Sequence, residues 1–235
     1  MISVPFYQLT RHAQAKRLRL SIDTLGNIKV TAPRRVSAIV IDEFVKDNLD
    51  WIKSTRLKNR DTRITHPDLG LNLPQKVHLK AMLKTLQISP VVSSKLHSSL
   101  VNEILYLYGP TEKDRLIVLR LWIKAQARQY LSKQLALQAE HMELSYNRLF
   151  IKNQKTRWGS CSSRKNINLN QNLLFVETPL VKYLLIHELS HLVHPNHSSK
   201  FWQHVEKYDK NYRTHDQALN QMTKQLPLWT LPDAK

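Results

Sequence analysis

"LLIHELSHLVHPNH" (184–197) places four of the chain's eleven histidines in fourteen consecutive positions, with one glutamate among them. The stretch grows out of an apolar run, "PLVKYLLI" from Pro179, and its helical period must end before Pro195, whose ring cannot continue a helix. A helix is expected, with Thr178 as N-cap and Pro179 as its first residue. Residues four apart share one helical face, one turn up, so His187 and His191 project together and can share an ion. Glu188 points beside that face, where it can reach a water without being a ligand. This is the physical content of HExxH in zinc hydrolases.

Catalytic zinc usually takes three protein ligands and keeps one position open. His197 lies just past Pro195 and can supply the third if the chain turns back there, as in HExxHxxGxxH proteins. His194 stands where those have glycine, so the turn differs. His204 and Glu206 on the following helix are rivals for the third place. The plainer reading, histidines that only decorate a helix end, is preferred for His194 and His204 but not for His187 and His191.

Working outward, 235 residues suffice for a real core, and 42% hydrophobic content with five Trp and eight Tyr indicates a folded chain. Four glycines and the lack of GxGxxG or GxxxxGK[ST] argue against a phosphate-cradling loop. No run of about 18 apolar residues is present, and the N-terminus lacks the apolar stretch of a secretory signal. A single cysteine, Cys161, cannot close an intrachain disulfide, which suits a reducing compartment. These features lead to the expectation of a cytoplasmic protein with no membrane partner. The net charge of +18 is spread over segments such as "RHAQAKRLR" (11–19), "KNRDTR" (58–63) and "KNQKTR" (152–157). It is read either as a solvated basic surface or as attraction to an anionic partner, a nucleotide or nucleic acid.

The architecture expected is α+β. "RLRLSID" and "NIKVTAP" alternate on either side of "TLG" and predict a hairpin. "VSAIVIDEFVKDNLDWIKSTRLK" (36–58) predicts a helix with Val36, Val40, Phe44, Ile41, Val45, Leu49 and Ile52 inward and Trp51 packed beside them. "KVHLKAML", "TLQISPVV" and "NEILYLYG" predict short strands that continue the N-terminal sheet. From Thr111 a long amphipathic helix is expected, with Leu119, Trp122, Ile123, Tyr130 and Leu131 inward. Strand-like "RLFIKN" and "NINLNQNLLF" flank "QKTRWGSCSSRK", and a last helix covers "SKFWQHVEKYDKNY". The boundaries drawn are an N-terminal β-rich module with one helix over 1–112, a catalytic domain over 113–225 and a C-terminal tail over 226–235.

"TRWGSCSSRKNINLNQNLLFVETPLVKYLLIHELSHLVHPNHSSKFW" (156–202) closely resembles the YgjP-like metallopeptidase family, relatives of the SprT and WLM zincin-like proteins. The match includes the RWGSC segment, an L-N strand, the HELxHL helix and a histidine followed by S-x-x-FW. It reaches the N-terminus through "RLRLSID", "GNIKVTAPRR" and "WI", and is weak in the middle zone. The resemblance implies a zincin-like catalytic domain behind an N-terminal β-hairpin and helix module. It also implies a metal-dependent hydrolase in which His187, His191 and His197 are the ligands and Glu188 is the catalytic acid/base; the reading adopted is one zinc ion and a peptide or protein substrate.

Arg157, Tyr208 and His204 are candidates to stabilise the oxyanion. "RWGSC" is read two ways: a bend beside the active site where an extended peptide pairs with an exposed strand, or a packed corner with Trp158 in the core and Gly159 needed for backbone shape. Cys161 as a nucleophile lacks any readable histidine partner. Two other classes remain: a metal-dependent nucleotide phosphohydrolase, which the missing paired carboxylates argue against, and a nucleic-acid-associated protease or binding protein, by analogy with SprT.

Overall fold

The computed structural model describes residues 4–22, 27–65, 72–223 and 225–230. They form two compact units, divided between Pro67 and Asp68.

In the first unit the strands are β1 (Tyr7–His12), β2 (Arg19–Ile22) and β3 (Ile28–Pro33), in the order β1-β3-β2. β2 and β3 pair antiparallel, as the hairpin pattern predicts, while β1, which the pattern did not reveal, joins β3 in parallel. The "TLG" turn lies outside the described residues. Ile28, Val30 and Ala32 alternate inward along β3 and pack in one cluster with Ile41, Val45 and Ile52. The expected single helix is two, α1 (Ala38–Asp47) and α2 (Leu49–Thr65). Asn48 separates them, its side-chain amide donating to the Phe44 carbonyl at 2.8 Å. Ile41, Val45 and Ile52 make a narrow stripe, so Val40 and Trp51, set off from it, stay 47% and 45% exposed rather than packed.

In the second unit β4 (Lys76–Leu79), β5 (Lys84–Val92), β6 (His97–Val101) and β7 (Ile104–Gly109) form a sheet of order β4-β5-β7-β6. This corrects the expectation that these strands continue the N-terminal sheet. Leu86, Leu105 and Leu107 belong to the same buried cluster as the long helix that follows, so this sheet finds its apolar cover there. That helix, α3 (Glu112–His141), opens with a capping box: Thr111 accepts from the Asp114 amide and the Asp114 carboxylate accepts from the Thr111 amide. Leu116, Leu119, Ile123, Ala127, Leu131 and Leu135 recur along it as one buried stripe.

A second sheet, β8 (Leu149–Lys152), β9 (Gly159–Cys161) and β10 (Ile167–Asn170), has β10 in the centre and β9 at one edge. Then come α4 (Thr178–Ser190), α5 (Ser199–Tyr208) and α6 (Tyr212–Met222). α4 is buried nearly all round, the pattern of a central helix. Its N-cap is Glu177 rather than Thr178, whose hydroxyl instead donates to the Ala81 carbonyl at 3.3 Å. Trp229, within the expected tail, is buried edge-on against Phe175, and its carbonyl accepts from Arg120 Nε at 2.8 Å. The whole is α+β, and no described helix is long and apolar enough to cross a membrane.

Candidate metal centre

α4 ends at Ser190 because its last turn tightens: the amides of Val193 and His194 both donate to the Ser190 carbonyl, at 3.1 and 2.9 Å. His191 is thus the C-cap, still in right-handed helical geometry, and keeps the i, i+4 relation to His187. The chain turns at Pro195 and re-enters helix at Ser199, which brings His197 back over α4. His197 Nε2 lies 3.1 Å from His187 Nε2. One ligand atom from each of His187, His191 and His197 falls within 4.8 Å of the others, so the three could hold a metal ion.

Phe201, fully buried, holds the group from beneath: its ring centroid is 5.0, 4.5 and 4.8 Å from those of His187, His191 and His197. His197, the exposed member, stacks on Trp202 at 5.5 Å, and Trp202 stacks in turn on Tyr212 at 5.4 Å. The "FW" pair therefore supports all three imidazoles.

Their electrostatics favour ligation. Burial first, then the neighbouring His191 and His197, push the His187 pKa down to about 3. Burial also lowers that of His191. Neutral rings keep the lone pairs a metal needs. His191 Nδ1 lies 3.2 Å from the His194 carbonyl oxygen, which can only accept, so Nδ1 carries the proton and Nε2 is bare. Tetrahedral bonds of about 2.0–2.1 Å set ligand nitrogens roughly 3.3 Å apart, close to the 3.1 Å between His187 and His197 Nε2.

Glu188 is 4% exposed, and its Oε2 has no hydrogen-bond partner. Burial raises its pKa to about 8. A buried carboxylate oxygen without a partner is costly, and its persistence beside three imidazoles fits a site that takes a cation and a polar reactant. The wall behind Glu188 is Gly159. A Cβ there would stand 2.5 Å from Glu188 Oε1 and 2.8 Å from both Cδ and Cγ. Of the packed-corner reading of "RWGSC", the core position of Trp158 holds, but Gly159 serves space rather than backbone shape. The Trp158 indole N–H donates to the Leu219 carbonyl at 3.1 Å.

Of the rivals, His204 is engaged elsewhere. Ser190 donates its proton to the Ile186 carbonyl at 2.8 Å, so its oxygen accepts from His204 Nδ1 at 3.1 Å. His204 also meets the Tyr208 ring edge-on at 5.3 Å. Among the described residues neither His204 nor Glu206 joins a metal-competent group. The Cys161 thiol is pushed up by burial and by Glu188, the opposite of an activated nucleophile. Sequence reasoning missed Gly159 as a spacer and the supports behind the histidines. A single motif glycine and the "FW" pair were the available signals.

A helix carrying HExxH, with a third histidine returned by the following turn, is the arrangement expected of a metallopeptidase-type centre. The chain belongs to the YgjP-like family, whose metallopeptidase domain matches residues 16–222. It is accordingly a hydrolase of the metallopeptidase class, built around a catalytic metal that is typically zinc. Among solved structures it is similar to the metallopeptidase zymogen abylysin of Pyrococcus abyssi: 27% identity over 40% of this chain and 93% of that chain, TM-score 0.36. It is also similar to the metallopeptidase zymogen jannalysin of Methanocaldococcus jannaschii: 22% identity over 39% of this chain and 94% of that chain, TM-score 0.35. A search of curated proteins gave no match.

Proposed function

We propose that this chain is a zinc-dependent peptidase in which His187, His191 and His197 hold one zinc ion and Glu188 is the general base. The observation that carries the reading is the gathering of three ligand atoms within 4.8 Å beside a buried carboxylate whose Oε2 is unpaired. Bound zinc supplies Lewis acidity, polarising the scissile carbonyl and acidifying water. Glu188 Oε2 accepts the proton of the attacking water and returns it to the leaving amine. Burial in an apolar helix holds that carboxylate in one place, and Gly159 leaves it the room to sit there.

An edge strand beside Glu188 supports a peptide substrate. β9, Gly159–Cys161, is the outermost strand of its sheet, so an extended peptide can add to it through main-chain hydrogen bonds next to Glu188. The net charge of +18 favours substrates or partners of negative charge, nucleic acid included. The one cysteine suits a cytoplasmic setting. Glu188→Gln is expected to keep its zinc and lose about 10²- to 10⁴-fold in peptide hydrolysis. Undiminished hydrolysis by that variant, or turnover of a nucleotide panel with peptides untouched, would replace this reading.

A further inference from the structure

The site described above leaves unexplained a polar pair set deep behind His187. One turn earlier on α4, Tyr183 is 1% exposed and meets His187 edge-on, ring centroids 5.9 Å apart. Its hydroxyl donates to Asp216 Oδ1 on α6 at 2.7 Å. The other oxygen of Asp216 accepts from Asn220 Nδ2 at 3.2 Å. The Tyr183 oxygen is also 3.4 Å from His187 Nδ1.

Accepting the metal centre proposed above, we propose that Tyr183 and Asp216 are positioning residues for His187: they hold its ring in the Nδ1–H form and leave Nε2 bare for the metal. The argument is a count of protons. A phenol has one, and a carboxylate can only accept, so the Tyr183 proton goes to Asp216. What remains on the Tyr183 oxygen is lone pairs, and facing them His187 Nδ1 must be the donor. A neutral imidazole has a single N–H, so Nε2 is then unprotonated. Nε2 is the atom that faces His197 Nε2 at 3.1 Å, on the side of the ligand group.

Two further observations agree. His191 is fixed in the same form by a different device, its Nδ1 turned to the His194 carbonyl, so both helix-borne ligands present Nε2. Burial, followed by the hydrogen bond to Asp216, raises the Tyr183 pKa, so the hydroxyl keeps its proton to give. The arrangement has the logic of an outer carboxylate that orients a ligand histidine and raises its basicity, here relayed through a phenol.

The test uses the full chain, stripped of metal and then titrated with zinc against a chromophoric chelator. Tyr183→Phe keeps the ring and is expected to bind zinc about 10- to 100-fold more weakly. Long-range proton–nitrogen NMR on the metal-free protein should show His187 as Nδ1–H in the parent and shifted towards Nε2–H in the variant. Asp216→Ala, which keeps the Tyr183 ring in place, frees the hydroxyl to donate to Nδ1 and should also produce Nε2–H. That second variant carries the test if Tyr183→Phe does not fold. A parent protein with His187 already Nε2–H, or variants with unchanged tautomer and zinc affinity, overturns the proposal. Failure of the parent to bind zinc strikes the metal centre instead, and the tautomer measurement, made without metal, still decides the role of the pair.

Discussion

Replacing Gly159 with alanine tests how the Glu188 carboxylate is placed. The added Cβ would lie 2.5 Å from Glu188 Oε1 and 2.8 Å from Cγ and Cδ. Optimal non-bonded separations are about 3.5–4.0 Å, so the two groups must part by about 1 Å. Gly159 needs no left-handed backbone, since its φ lies outside that region, so the conflict is one of space alone. α4 is buried on nearly every side and cannot retreat, which leaves the Glu188 side chain to rotate or β9 to shift. A misplacement of about 1 Å costs on the order of 10²-fold in rate, and overpacking costs about 1–3 kcal/mol in stability. The assay is kcat on a peptide that the parent protein cleaves, with zinc content and thermal midpoint measured on the same samples. The expected result is full zinc, a modestly lower midpoint and a kcat about 10²-fold down. In a Glu188→Gln background the same change should cost almost nothing further, because both act on one group. A Gly159→Ala enzyme with parental kcat would refute the reasoning.

Two other outcomes follow from named groups. In chelator-treated protein, stability should peak between about pH 4.5 and 6.5. His187 titrates at about 3 when folded against 6.5 unfolded, so the unfolded chain binds the extra proton and stability falls as pH drops below 6.5. Glu188 titrates at about 8 when folded against 4.5 unfolded, so the folded chain retains a proton that the unfolded one has lost, and stability falls as pH rises above 4.5. Where they overlap the Glu188 slope is offset by that of His187, with His191 adding to the latter; above it Glu188 dominates, at about 1.4 kcal/mol per pH unit, up to about pH 8. Urea unfolding across pH checks this, and Glu188→Gln should lack the alkaline slope; a persisting slope contradicts the assignment. Trp158→Phe removes the indole donor to the Leu219 carbonyl in the last turn of α6. It is expected to lose about 1–3 kcal/mol with zinc content unchanged, and denaturant melts with metal analysis decide it.

The parts of this molecule that could be read from sequence are those with a period or a punctuation mark. The spacing of His187 and His191 on an apolar helix brought two imidazoles to one face, and Pro195 gave the place where the chain returns with His197. The long helix after Thr111 was legible from its apolar stripe, and the hairpin partners from their alternation. The misplaced elements had weaker local signals. β1 pairs in parallel through partners distant in sequence, and nothing local announces that. β4 to β7 look like any short strands, and only the apolar stripe of α3, supplied later in the chain, fixes where they pack. Asn48 breaks a helix through one side-chain hydrogen bond that a hydrophobic pattern does not register. Around the site, Tyr183, Asp216 and Gly159 act on groups at least four residues away in sequence, through proton counting and excluded volume, so no motif announces them.

The most direct measurement is metal analysis of freshly purified protein, set beside His187→Ala, His197→Ala and His204→Ala. Three imidazoles around one cation require about one zinc per chain in the parent and in His204→Ala, with loss in the other two variants. Full zinc in His197→Ala, or loss of zinc only in His204→Ala, would contradict the centre built from His187, His191 and His197.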